Sequence, residues 1–328
     1  MPLTNDHLAI LAKGQNNTTK YDQPQPHQPQ KIDEVGAKDN SVGWWFNAPE
    51  TWIIDQVPGG LKPSPPSAED LSTAKDTVQS WLMHWIAGKP NPFIHGHLYG
   101  RRLPSCLQDA YLCFTSYSQR NAANGDMLCD IVADKACQLV QHYGVASLGP
   151  LDALEHTART QALFIYQFIG LFDGHIRLRH VAEGNIAVLT QWIHEAVDCA
   201  RNHKSIDTAI GDLFWEKALW QSWILAESVR RTWLMVSMVQ GMYMTSRDGI
   251  NHCLGGMMFT SRKGFWDAST ATTWSKHCTE VYGGLINLNQ IDHLLASIEL
   301  SEMDEFATLV LKLTFGSEQI ERWEMQVA

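Results

Sequence analysis

The stretch Trp220-Gln-Ser-Trp-Ile-Leu-Ala-Glu-Ser-Val-Arg-Arg-Thr-Trp-Leu-Met-Val-Ser-Met-Val-Gln-Gly-Met-Tyr-Met244 decides the fold class. Wound as a helix, it is apolar nearly all round, whereas a helix lying on a protein surface keeps a polar stripe. It therefore belongs at the centre of a helical domain, as part of a longer helix over about 212–245. Its most apolar part, Trp233 to Met244, contains Gln240 and is shorter than the about 20 residues a membrane span needs. A buried helix is expected, and no membrane partner.

The segments upstream have the same character. Ser67 is placed to cap a helix running to about Ala87, with Ala74, Val78, Trp81, Leu82 and Trp85 at three- and four-residue steps, ended by Gly88 and Pro90. A second helix follows Pro104, carrying Leu107, Ala110, Tyr111, Phe114 and Tyr117 on one face. A third is read as capped by Asp126 and stopped by Gly144, and a fourth runs from near Pro150 to Asp173-Gly174. A fifth is predicted over about His175 to His203, and two or three more after Trp274. No β-type alternation is sustained, so the predicted fold class is all-α, a single large helical domain over 44–328. The one break worth naming lies near Ile206. Residues 1–43 are polar and include Gln23-Pro-Gln-Pro-His-Gln-Pro-Gln30, which reads as a disordered tail because it offers little to bury.

Composition narrows the function classes. The chain has 328 residues, 45% of them hydrophobic and 13 of them tryptophan, enough for a sizeable core. Its net charge is -10, with no basic run. Binding to duplex DNA relies on clustered Lys and Arg releasing counterions, so direct nucleic-acid binding is not expected. Seven scattered cysteines, Cys106 the earliest, and a start without an apolar signal segment point to reduced thiols in an intracellular protein.

Three blocks then become recognisable. Pro92-Phe-Ile-His-Gly-His-Leu-Tyr99 with Leu103-Pro-Ser-Cys-Leu-Gln-Asp-Ala-Tyr111 resembles the opening of the regulatory region of fungal zinc-cluster transcription factors. So do Glu155-His-Thr-Ala-Arg-Thr-Gln-Ala-Leu-Phe-Ile-Tyr-Gln-Phe-Ile-Gly-Leu-Phe-Asp-Gly-His-Ile-Arg177 and Trp223-Ile-Leu-Ala-Glu-Ser-Val-Arg-Arg-Thr232. Members of that family carry an upstream cluster of six cysteines holding zinc, whereas this sequence has no C-x-x-C pair. Cys106 and Cys113 have a spacing seen in such clusters, but Leu107, Tyr111 and Leu112 between them belong to an amphipathic helix, so no metal and no other cofactor is expected. The resemblance implies a regulator of a fungal secondary-metabolite gene cluster, in the nucleus or alternatively the cytoplasm. Lacking a DNA reader, it would act through a protein partner (a DNA-binding regulator or co-regulator) or a small apolar ligand, with a homodimer as a further option.

The alternative is a pathway enzyme or binding protein, for instance a cyclase or isomerase, on the same scaffold. Its acid–base groups would come from His95, His97, Asp173 and His175. Against that, the two histidines fit a Pro-rich turn, and Asp173 fits helix-stop chemistry with Arg177 as its ion partner. A ligand lining would draw on Arg230, Trp223, Met238 and Met242, with Arg230 facing a carboxylate or phenolate. Glu227, Arg230 and Arg231, at i, i+3 and i+4 among tryptophans, read more simply as a structural ion network reaching another helix through Asp109 or Asp173. The acidic and apolar segment Glu299, Glu302, Asp304, Glu305 and Phe306 is a candidate contact for the transcription machinery, or a plain amphipathic helix.

Overall fold

A computed structural model describes residues 45–55, 66–100, 103–144, 149–202, 212–249, 255–280, 285–288 and 300–327, all within the unit Asp39–Ala328. The predicted 1–43 tail, the break near Ile206 and Glu299 lie outside the described residues. Ten helices are described: α1 (Ala68–Ile86), α2 (Ser105–Ser118), α3 (Gly125–Tyr143), α4 (Ala153–Asp173), α5 (Ile176–Gly184), α6 (Ile186–Asn202), α7 (Asp212–Asp248), α8 (Ala271–Glu280), α9 (Glu305–Phe315) and α10 (Ser317–Val327). Among the described residues a single antiparallel ribbon joins β1 (Phe259–Thr260) to β2 (Leu285–Ile286), too short to leave a period in the sequence. The class is all-α.

Local chemistry sets the helix ends. Ser67 and Asp152 each build a reciprocal capping box, with Asp70 and Glu155 respectively, satisfying donors that helix starts leave open. Asp173 closes α4 into Gly174, which has φ +105°, a conformation that favours glycine. Two predicted boundaries move. Helix α3 starts at Gly125 rather than after a cap at Asp126, because Asn121 and Asn124 fold the preceding turn with their own side chains. The predicted fifth helix is two, α5 and α6, parted at Gly184-Asn185.

Two helices make the centre. Every residue of α4 from Thr157 to Leu171 is buried, as is every residue of α7 from Ala226 to Val236. Helix α4 touches α2, α3, α5, α6 and α7. At Gly170 it meets α5 so closely that a Cβ would lie 2.6 Å from Ala182 Cβ and 2.9 Å from the Leu178 carbonyl oxygen. The segment 45–55 touches α6 and is held to α7 by Arg230, with Phe46 and Trp52 buried, and Asp55 pairs in both directions with Gly256.

Candidate functional site

Arg231 is buried in mid-α7 and uses its whole fork. Nε donates to Glu227 Oε1 at 3.0 Å and Nη1 to the Pro92 carbonyl at 2.9 Å. Nη2 donates to the Thr260 carbonyl at 2.9 Å and to Asp304 Oδ2 at 2.5 Å. Its guanidinium lies 4.2 Å from the Trp266 ring centroid and 4.8 Å from that of Phe306. Burial works against the charge, but Asp304 and Glu227 outweigh it and hold the Arg231 pKa above its ordinary value. Asp304, whose own carboxyl is pushed up by burial, caps α9 through the Ala307 N–H at 2.8 Å while accepting from Arg231. Glu227 Oε1 also accepts from the Thr260 N–H at 2.8 Å. One side chain thus binds α7, β1, α9 and the connection after α1.

Arg230 serves the other flank. Its Nη2 donates to the Phe46 carbonyl and, at 2.8 Å, to Thr51 Oγ1, and the guanidinium stacks 4.1 Å from the Trp52 centroid. With Glu227 3.9 Å away as its only ion partner among the described residues, burial lowers its pKa to about 10, leaving it charged at neutral pH. Arg230 Nε and Nη1, Glu227 Oε2 and the indole nitrogens of Trp223 and Trp274 are buried without a hydrogen-bond partner. The group sets two arginines, Arg230 and Arg231, against two carboxyl side chains, Glu227 and Asp304, so the buried guanidiniums are met by acidic partners of the chain itself.

The three blocks that carry the resemblance meet here. Gln161, from α4, donates to the Phe93 carbonyl at 3.1 Å and to Thr232 Oγ1 at 3.0 Å, and accepts from Tyr99 at 2.6 Å. Arg231 closes the same triangle through Pro92. His95 is buried here, with Nε2 3.0 Å from the Trp266 carbonyl and Nδ1 accepting the His97 N–H at 3.1 Å. Both ring nitrogens are engaged, and burial, then His97, lowers the His95 pKa to about 4. His97 is exposed, its ring beside Trp220.

The other predicted residues lie apart from this centre. Asp173 and His175 are 12 or more residues along from Gln161, about 18 Å on a helix rising 1.5 Å per residue. Burial favours a raised Asp173 pKa, but donation from Tyr117 (2.6 Å), the His175 N–H (3.2 Å), Cys129 (3.5 Å) and the nearby Arg120 (3.3 Å) hold it below the ordinary value. The predicted Asp173–Arg177 pair does not form: Arg177 takes Asp130 and Asp134, both at 2.6 Å. His175 caps α5 by accepting the Leu178 N–H. Trp223 and Arg230 share a face of α7, but Met238 and Met242 are two to three turns further along, and Trp223 packs on Trp274 instead. The predicted network exists, though through Asp304; Asp109 pairs with Lys135 and Asp173 with Arg120. Asp304 and Phe306 are buried, so the acidic segment is built into the core there rather than displayed.

Sequence reasoning missed Gln161 and Arg159, and it gave Asp304 to an acidic contact segment rather than to Arg231. Arg159 is buried on α4, binds Glu195 of α6 and His156 Nδ1 (2.8 Å), and stacks on Trp192. The available signal was a polar residue inside an otherwise apolar helical run.

No family model matches the chain, and no solved structure matches it significantly. It is 28% identical over 238 residues to the transcription factor gsfR2 of Penicillium aethiopicum, covering 70% of this chain and 56% of that protein. The chain therefore spans little more than half the length of the curated relative it matches. The likeness supports a relationship to a fungal transcription factor.

Proposed function

We propose that the chain is the regulatory part of a fungal transcription-factor-like protein, acting in the nucleus on a secondary-metabolite gene cluster through a protein partner or a small apolar ligand. The observation that carries this reading is the likeness to a transcription factor over 70% of the chain. The meeting of the three resembling blocks at Gln161 and Arg231 supports it, because side chains from those blocks lock the helices together. The same observation disfavours His95, His97, Asp173 and His175 as one acid–base centre, since the first pair and the second sit in separate parts of the fold. The excess of acid argues that promoter contact comes through a partner.

Deleting the gene and measuring transcripts of its neighbours tests the reading. A fall in those transcripts is the expected outcome. Unchanged transcripts with a small-molecule intermediate accumulating would replace the regulator by an enzyme. Anisotropy titrations of the purified chain against duplex DNA are expected to give only weak binding without sequence preference. Tight, salt-sensitive and sequence-selective binding would contradict action through a partner.

A further inference from the structure

Outside the arginine centre, exposed apolar side chains gather on one face. Leu112 on α2, Met127 and Ile131 on α3 and Ile176 at the start of α5 are 62%, 58%, 42% and 85% exposed. Helix α3 packs against both α2 and α5, and two ion links border the patch: Lys135–Asp109 at 3.0 Å, and Arg177 to Asp130 and Asp134. Leu112 is one turn from Asp109, and Ile131 one turn from Lys135, so the apolar ridge begins beside the first of these links. On the other side of that link a half-open cleft of about 230 Å³ runs between α2 and α3. Buried Leu139, Cys106 and Tyr166 line its depth, and Asp109, Lys135 and His142 its mouth. A cavity of about 150 Å³ accommodates benzene, so this one is large enough for an aromatic side chain.

Charge selects the occupant. Asp126, Asp130 and Asp134 recur every fourth residue beside Met127 and Ile131, an arrangement of like charges that destabilises a helix by itself. With Asp109 there are four carboxylates against Lys135 and Arg177, an excess of two negative charges. A second copy would set that excess against its equal, at a cost in association. A cationic helix would relieve it.

We propose that the α2–α3 face, with Ile176, docks a basic amphipathic helix of a partner protein, which lays its apolar stripe along Leu112, Met127 and Ile131 and inserts one aromatic side chain into the α2–α3 cleft. A helix laid in this way is read through anchors at three- and four-residue spacing, and the buried aromatic carries most of the affinity. This deepens the regulator reading by naming the chemistry of its partner.

The test uses the full chain and a synthetic fluorescent helix-forming peptide, leucine-striped, lysine-flanked and carrying one tryptophan. Micromolar binding is expected, about tenfold weaker for the peptide with its tryptophan changed to alanine, and about tenfold weaker for the chain carrying Met127→Gln with Ile131→Gln, which removes the apolar contact without adding charge. Both positions are exposed, and an unchanged thermal melt confirms folding; Asp126→Lys is the second variant, also expected to weaken binding. Absence of binding, equal binding of a glutamate-flanked peptide, or insensitivity to these variants overturns the proposal. So does sedimentation showing a homodimer that Met127→Gln dissolves, which would give the face to a second copy. Transcript levels after gene deletion test the regulator reading separately, since they do not depend on which surface holds the partner.

Discussion

At the scale of single residues, the two adjacent arginines have unequal duties. Replacing Arg231 with Met strands Asp304 and Glu227 in the interior, and breaking a buried pair in this way costs about 3–5 kcal/mol. Replacing Arg230 with Met leaves Glu227 paired to Arg231 and keeps packing against Trp52, so a smaller loss of about 1–3 kcal/mol is expected from the charge-assisted hydrogen bonds to the Phe46 carbonyl and Thr51. Urea unfolding of the two variants checks the order. His95 gives a pH signature. Its folded pKa is near 4 against an ordinary value of 6.5, so the fold favours the neutral ring. That contribution is complete above about pH 6.5 and is lost as the pH falls towards 4, because the unfolded chain takes up the proton first. His95→Gln is expected to flatten the decline of stability across that window, measured by denaturation at a series of pH values. Residue identities were legible where burial could be inferred from neighbours, as with Arg230 and Arg231 among tryptophans. Their partners were not. Asp304 lies 73 residues from Arg231 and, from its own neighbourhood, looks like an ordinary helix cap.

At the scale of elements, α4 meets α5 at close range at Gly170. Gly170→Ala puts a methyl group into the Ala182 side chain and the Leu178 backbone, and about 1–3 kcal/mol of destabilisation is expected from the forced shift. A thermal melt of the variant measures it, and an unchanged melting temperature would show that α5 gives way freely. Helices α1, α2, α4 and α7 were legible because apolar spacing, caps and glycine stops agree with one another. The split between α5 and α6 was not, since Gly184 and Asn185 interrupt a run whose periodicity continues on both sides. The start of α3 was misplaced because Asp126 has the chemistry of a cap, while Asn121 and Asn124 had already turned the chain.

At the scale of the whole molecule, stability is centred on α4 and α7, which are buried through their middle turns, whereas α10 carries an exposed Met325. Hydrogen exchange is expected to be slowest at the amides of 160–170 and 226–236 and much faster along α10. Comparable rates throughout would mean that the fold opens only as one piece. The architecture was legible from periodicity, but the position of the candidate centre was not, because it is assembled from segments as far apart as Phe46 and Asp304. The tryptophans bring an optical consequence. Trp81, Trp223, Trp233 and Trp274 are sealed from solvent, and Trp52 and Trp266 each lie under a guanidinium. Emission from the native chain is therefore blue-weighted, and a red shift marks the moment the arginine-bound interior lets water in, so the folding of this protein can be followed without any attached dye.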